Sequence, residues 1–113
     1  MATPATTPRP SNPARDAVRP IVPKLIDLSE KVLFGDVWER PGLSKRDRSL
    51  ITVAALTAMY RPEQLKGHLD RALGNGVTKD EIGELITHLA FYAGWPCAMT
   101  AANVAKNVFE ARP

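Results

Sequence analysis

Residues 61–113, RPEQLKGHLDRALGNGVTKDEIGELITHLAFYAGWPCAMTAANVAKNVFEARP, decide how this chain folds, because they hold its clearest helix punctuation and both of its histidines. Pro62 stands where a helix begins, since its missing N–H costs nothing in a first turn. Gly76 follows the apolar series Leu65, Leu69, Ala72 and Leu73 as a left-handed cap. Thr78 and Glu81 have the spacing of a capping box, and Ile82, Leu85, Ile86, Leu89 and Ala93 recur behind them at helical spacing. Gly94 closes that helix. Pro96 opens a third, running to about Ala111, with Ala98, Ala101, Ala102, Val104, Ala105, Val108 and Phe109 along a mostly small-residue face that allows close helix approach.

On the middle helix Glu81, Glu84 and His88 share one stripe beside the apolar face, and His68 lies one helix earlier. The short Gly-Asn-Gly turn predicts that the two helices are antiparallel neighbours, so both imidazoles are expected to face one cleft. Taken alone, each histidine reads equally well as a hydrogen-bonded or solvated structural residue.

Upstream, Ser44 with Asp47 three residues later is an N-cap, and the helix it opens runs to Tyr60. Leu50, Ile51, Val53, Ala54, Ala55, Leu56, Ala58 and Met59 leave only Thr52 and Thr57 as polar interruptions, the pattern of a helix buried on every side. So small a domain cannot hide such a helix alone, which predicts a homo-oligomer. Arg46 and Arg48 stand in its first turn, where the helix dipole disfavours cations. They suggest ion pairs across an interface or an anion site. From Lys24 a further helical pattern sets Leu25, Ile26, Leu28, Val32 and Leu33 on roughly one face, followed by a turn carrying Phe34, Val37 and Trp38. Trp38 reads first as a lid over the core. Residues 1–23 hold six of the ten prolines and are expected to form a flexible or extended arm, with one helical domain over 24–113. No strand-like alternation occurs, so the predicted fold is all-α.

The 113 residues are 44% hydrophobic and 24% charged, as in a soluble globular domain. The net charge of +3 comes from the arm: residues 1–24 carry four Lys/Arg against one Asp, and the rest carries eleven of each sign. A basic groove is therefore not expected, nor nucleic-acid binding. One cysteine excludes an internal disulfide, and two histidines with it make a poor metal set. The absence of a long apolar run predicts no membrane span and a cytoplasmic location.

Residues 34–109 resemble the carboxymuconolactone decarboxylase family, most specifically in RDRSLITVAAL, HLDRALGNGVTKDEI and HLAFYAGWPCA taken in order. The resemblance implies an all-α, alkylhydroperoxidase D-like helical bundle assembled as a trimer or hexamer. The superfamily's redox branch carries Cys-x-x-Cys four residues before its His. Setting that His on His68 puts Arg61 and Gln64 at the cysteine positions, and Ser49 near the relay Glu. Thiol peroxidase chemistry is therefore disfavoured, and Cys97 reads as packing. The decarboxylase branch uses no metal or organic cofactor, and its pattern includes His68, His88 and the Tyr-Ala-Gly-Trp-Pro turn at 92–96.

These features lead to the expectation of a cofactor-free decarboxylase, or a related lyase or isomerase, acting on a small carboxylated lactone. Loss of CO2 from such a lactone sends electrons onto its carbonyl oxygen, so the site needs a donor there and an acid for carbon. His68 and His88 are the candidates, with Glu84 fixing the tautomer of His88. Arg48 is the candidate carboxylate clamp, and Trp38, Tyr92 and Trp95 the candidate pocket wall, together with Phe91. The alternative is a non-catalytic oligomeric scaffold or small-ligand binding protein of the same fold.

Overall fold

A computed structural model describes residues 12–112, which divide into two compact units, 12–40 and 41–112. In the first unit, part of the expected arm, residues 13–18, is a short helix. Helix α1 (Pro13–Val18) fits between two prolines, with Pro13 in its first turn and the Asn12 side chain accepting the Arg15 N–H. Residues 1–11 of the expected arm lie outside the described residues. Helix α2 (Pro23–Leu28) continues into a π-helical turn over Ser29–Leu33, closed by the Phe34 N–H donating to the Ser29 carbonyl at 2.9 Å. The wider turn shifts the helical phase, so the expected single apolar face does not form: Ile26 is buried, but Leu25, Leu28, Val32 and Leu33 remain exposed. Arg19 bonds Glu30 at 2.8 Å, joining α1 to the π-turn. A 3-10 turn over Val37–Glu39 sets Trp38 against Phe34, with ring centroids 5.9 Å apart.

The second unit holds four longer helices, α3 (Lys45–Ala58), α4 (Pro62–Gly74), α5 (Lys79–Ala93) and α6 (Trp95–Ala111). Their boundaries follow the predicted punctuation. Ser44 accepts the Asp47 N–H, Thr78 and Glu81 form both bonds of the capping box, and Gly76 and Gly94 take φ of 96° and 102°. The link between α3 and α4 reverses without a glycine. Tyr60 itself takes φ 56°, and the Arg61 N–H reaches back to the Leu56 carbonyl at 2.9 Å, the long bond of a Schellman cap.

Packing differs from the expectation drawn from turn length. Helices α4 and α5 are not packed neighbours; each packs on α3 and on α6, and the two face each other across the diagonal of the bundle. Polar contacts at the ends fix the directions. Asn75, after α4, donates to Ser49 Oγ at the start of α3 at 3.0 Å, so these two helices are antiparallel. Arg46 pairs with Glu81, bringing the starts of α3 and α5 together, and Arg112 meets Asp70 at 3.3 Å, bringing the ends of α6 and α4 together. The core between them consists of Val53, Leu65, Leu69, Ala72, Val77, Ile82, Ile86, Ala90, Ala98, Ala101, Ala105 and Val108. The alanines of α6 allow the close approach expected of them.

Helix α3 is not buried on every side within this chain. Ser49, Val53 and Thr57 form its buried face, whereas Ile51 is 56% and Met59 53% exposed. No helix among the described residues is long and apolar enough to cross a membrane, and none of their side chains form a group of three or more metal-ligating residues.

Candidate functional site

Gln64, His68, Arg71 and Asn75 follow one another at i, i+4, i+7 and i+11, a single stripe along α4. The bond from Asn75 to Ser49 anchors the end of that stripe against α3, so His68 borders the α3–α4 groove. It is half-buried, and its Nδ1 atom is enclosed. Burial first, and then the positive charge of Arg71 one turn away, push the imidazole below its ordinary value of 6.5. At neutral pH His68 is therefore the neutral form, with one ring N–H to donate.

Arg48 belongs to α3. On α3, Arg46 pairs with Glu81 of α5 and Ser49 accepts from Asn75 after α4, and Arg48 lies in the same first turns. It is half-buried with its Nε enclosed, and Thr52 on the same row donates to its carbonyl at 2.8 Å. Measured along α4 from the Ser49–Asn75 bond, Arg71 stands about 6 Å and His68 about 10 Å further into the groove. The Arg71 guanidinium thus stands one turn from the neutral imidazole on the same face of α4. Sequence reasoning passes over Arg71, although its place three residues after His68, on the same helix face, is a usable signal. The ion pair expected across an interface for Arg46 is made within the chain, to Glu81, whose carboxyl is held low chiefly by its bond from the Thr78 backbone N–H and by Arg46.

The remaining candidates lie elsewhere. His88 belongs to the row Glu81, Glu84, His88 and Tyr92 on α5; it is exposed and stacks on Tyr92 with centroids 4.9 Å apart. Within one chain it does not share a cleft with His68, because α4 and α5 stand on opposite sides of α3. Glu84 is exposed, and no hydrogen bond joins it to His88 among the described residues. Tyr92 is 78% and Trp95 60% exposed. Trp95 meets Phe91 edge-on at 5.8 Å. Trp38 sits in the first unit, packed on Phe34. Cys97 is a free thiol whose Sγ lies 3.9 Å from the Ala58 carbonyl. A groove of about 470 Å³ between α5 and α6 is lined by none of these candidates.

The second unit is thus an all-helical bundle whose α4 carries a half-buried histidine one turn from an arginine. Residues 23–107 match the model of the carboxymuconolactone decarboxylase family, and the chain belongs to that family. It is 48% identical over 77 residues to a 4-carboxymuconolactone decarboxylase of Acinetobacter baylyi, covering 68% of this chain and 58% of the relative. It is 38% identical over 84 residues to the nitrosuccinic acid decarboxylase npaB of Metarhizium robertsii, covering 74% of this chain and 59% of that protein. It is also 32% identical over 109 residues to an uncharacterized 15.0 kDa protein in the nqo9-nqo10 intergenic region of Paracoccus denitrificans, covering 89% of this chain and 81% of that protein. The chain thus spans less than two thirds of the length of the two named decarboxylases.

Proposed function

We propose that this chain removes CO2 from a small dicarboxylic acid whose carbanion electrons can move onto an oxygen, a carboxymuconolactone-like lactone being the leading substrate. The observation that carries this reading is the neutral, half-buried imidazole of His68 beside Arg71. The two decarboxylases named above support it. Carboxymuconolactone and nitrosuccinic acid both carry two carboxyl groups, and in both the departing one sits where a lactone carbonyl or a nitro group can take up the electron pair.

The steps use side chains alone. Arg48 and Arg71 hold the carboxylate that is retained; clamping the departing one would stabilise the ground state and slow the reaction. The bond to the other carboxylate breaks, CO2 leaves, and its electron pair runs through the conjugated system to the acceptor oxygen. A neutral His68 donates its N–H to that oxygen as charge develops, and a proton added at carbon completes the product.

The exposure of His88 favours a second reading, a non-catalytic oligomeric scaffold or binding protein. One assay separates the two: CO2 release from 4-carboxymuconolactone and from nitrosuccinate by wild type, His68→Ala and His88→Ala. The decarboxylase reading expects His68→Ala to lose roughly a hundredfold or more in turnover and His88→Ala to stay within a few fold. A folded His68→Ala that keeps the wild-type rate removes the proposed role, and a wild type inert on both substrates leaves the scaffold.

A further inference from the structure

Two links in the bundle turn back through the same cap. After α4 the Val77 N–H reaches the Ala72 carbonyl at 2.9 Å across Gly76, and after α3 the Arg61 N–H reaches the Leu56 carbonyl at 2.9 Å across Tyr60. Gly76 and Tyr60 take φ of 96° and 56°, so a tyrosine stands where this cap favours glycine. For a bulky side chain that conformation is an outlier, and it persists only where surrounding contacts impose it. Here they do. The Tyr60 N–H donates to the Thr57 carbonyl at 3.2 Å, and the Arg61 guanidinium donates to the carbonyls of Met59 and Tyr60 at 3.0 and 3.4 Å. All of these contacts hold the backbone. The ring is 53% exposed, and no hydrogen bond engages its hydroxyl among the described residues. Capping therefore gives no reason for a tyrosine, and glycine would end α3 with less strain.

Decarboxylation chemistry supplies a reason. Loss of CO2 leaves an electron pair shared between the acceptor oxygen and a carbon, and that carbon needs a proton. Neutral His68 has one ring N–H, which the acceptor oxygen takes. The proton for carbon must come from another group of the α3–α4 hairpin. Thr52 commits its hydroxyl to the Arg48 carbonyl, Ser49 and Thr57 are 1% and 2% exposed, and an arginine does not release its proton. Tyr60 carries an exposed phenol, which is protonated and uncharged at neutral pH. Without a charge it does not clamp the departing carboxylate as a cation would. It stands at the closed end of the hairpin, and His68 lies about 9 Å along α4 from Pro62, under two turns. Arg71 follows on the far side of His68.

We propose that Tyr60 is the acid that protonates carbon, a role that rests on the decarboxylase reading. The phenolic O–H bond breaks, and its proton joins the electron pair left by CO2 to form the new C–H bond. The acceptor oxygen thereby gives up its charge to the phenol oxygen, and the exposed phenolate regains a proton from water. The strain at Tyr60 is then retained for chemistry and not for folding.

The test follows 4-carboxymuconolactone turnover in D2O by wild type, Tyr60→Phe and Tyr60→Gly, recording the rate and, by NMR at early times, the face of the product on which deuterium enters. Phenylalanine keeps the ring and glycine suits the backbone, so both variants are expected to fold, with circular dichroism as control. Wild type is expected to place deuterium on one face. Each variant is expected to lose on the order of a hundredfold in turnover with KM little changed, and to give product labelled on both faces. A folded variant that keeps the wild-type rate, or a slow one whose label stays on one face, would overturn the role of Tyr60 and leave the decarboxylase reading standing. A wild type that releases no CO2 from the lactone would overturn both.

Discussion

Burial and, one turn beyond it on α4, the positive charge of Arg71 hold the His68 imidazole in its neutral form. Binding and stability are coupled through this pair, because any anion that neutralises Arg71 also relaxes His68. The unfolded chain titrates near the ordinary histidine value of 6.5, whereas the folded chain binds that proton only at lower pH. The contribution is therefore full above pH 6.5 and is lost as pH falls through the folded value. Melting temperature against pH is expected to decline below 6.5 in wild type and to flatten over the same range in His68→Gln. An unchanged slope in the variant would assign the decline to other groups.

Arg48→Gln and Arg71→Gln each remove one charged donor of the proposed carboxylate clamp. A hydrogen bond to a charged group is worth about 1.5–3 kcal/mol, so kcat/KM on a dicarboxylate substrate is expected to fall about tenfold or more. With a substrate analogue lacking the retained carboxylate, wild type and variants should converge. Equal losses on both substrates would show that the arginines act on something other than that carboxylate.

Tyr60 and Gly76 occupy equivalent left-handed positions at the ends of α3 and α4, with φ of 56° and 96°. Only glycine takes that conformation without strain, at a difference of roughly 1 kcal/mol. Tyr60→Gly is accordingly expected to stabilise the fold and Gly76→Ala to destabilise it, each by about 1 kcal/mol in urea unfolding. The Tyr60 side chain is 53% exposed, so little packing is lost in the exchange. If Tyr60→Gly destabilises instead, that ring has a contact beyond the single chain.

Thr57 is 2% exposed, and its hydroxyl has no hydrogen-bond partner among the described residues. Replacing a buried, unpaired hydroxyl by a methyl of the same shape is neutral or favourable, so Thr57→Val is expected to leave stability unchanged or raise it by up to about 1 kcal/mol. A clear loss of stability would reveal a bound water or ligand on that hydroxyl.

Cys97 has no second thiol to resolve a disulfide, and Arg61 and Gln64 stand where the redox branch places its pair. Cys97→Ser should keep the fold and whatever decarboxylation the wild type shows, and thiol-dependent peroxide reduction should be negligible in both. Peroxide turnover that vanishes in the serine variant would restore the redox reading.

The ends of α4, α5 and α6 were legible because each is set by local chemistry: Pro62, the Thr78–Glu81 box, and glycines at Gly76 and Gly94. The end of α3 was legible only in place. Tyr60 carries no signal for a left-handed residue, since the surrounding helices impose that conformation. What local pattern does not encode is which helices pack together. A short turn after α4 makes α5 antiparallel to it but leaves it free to pack across the bundle, and that freedom separates His88 from His68. Periodicity likewise reports that α3 is apolar on most sides without saying that only Ser49, Val53 and Thr57 face the core. The pairing of His68 with Arg71 was within reach of helix arithmetic, whereas its effect on the imidazole depends on burial, which only the packed structure supplies.

The diagonal placement of α4 and α5 means that the four-helix unit consists of two hairpins, α3–α4 and α5–α6, packed on each other through one shared core. The link through Asn75 and Gly76 is the one covalent join between them, and it adds little to the surfaces that hold them together. Asn75 is tied to α3 through Ser49, and Val77 is buried in the core that both hairpins share. Because α3 packs on α5 and α6, and α4 on α6, neither hairpin buries its apolar face alone, so a chain nicked at Gly76 would be held together by that common core rather than by the covalent link.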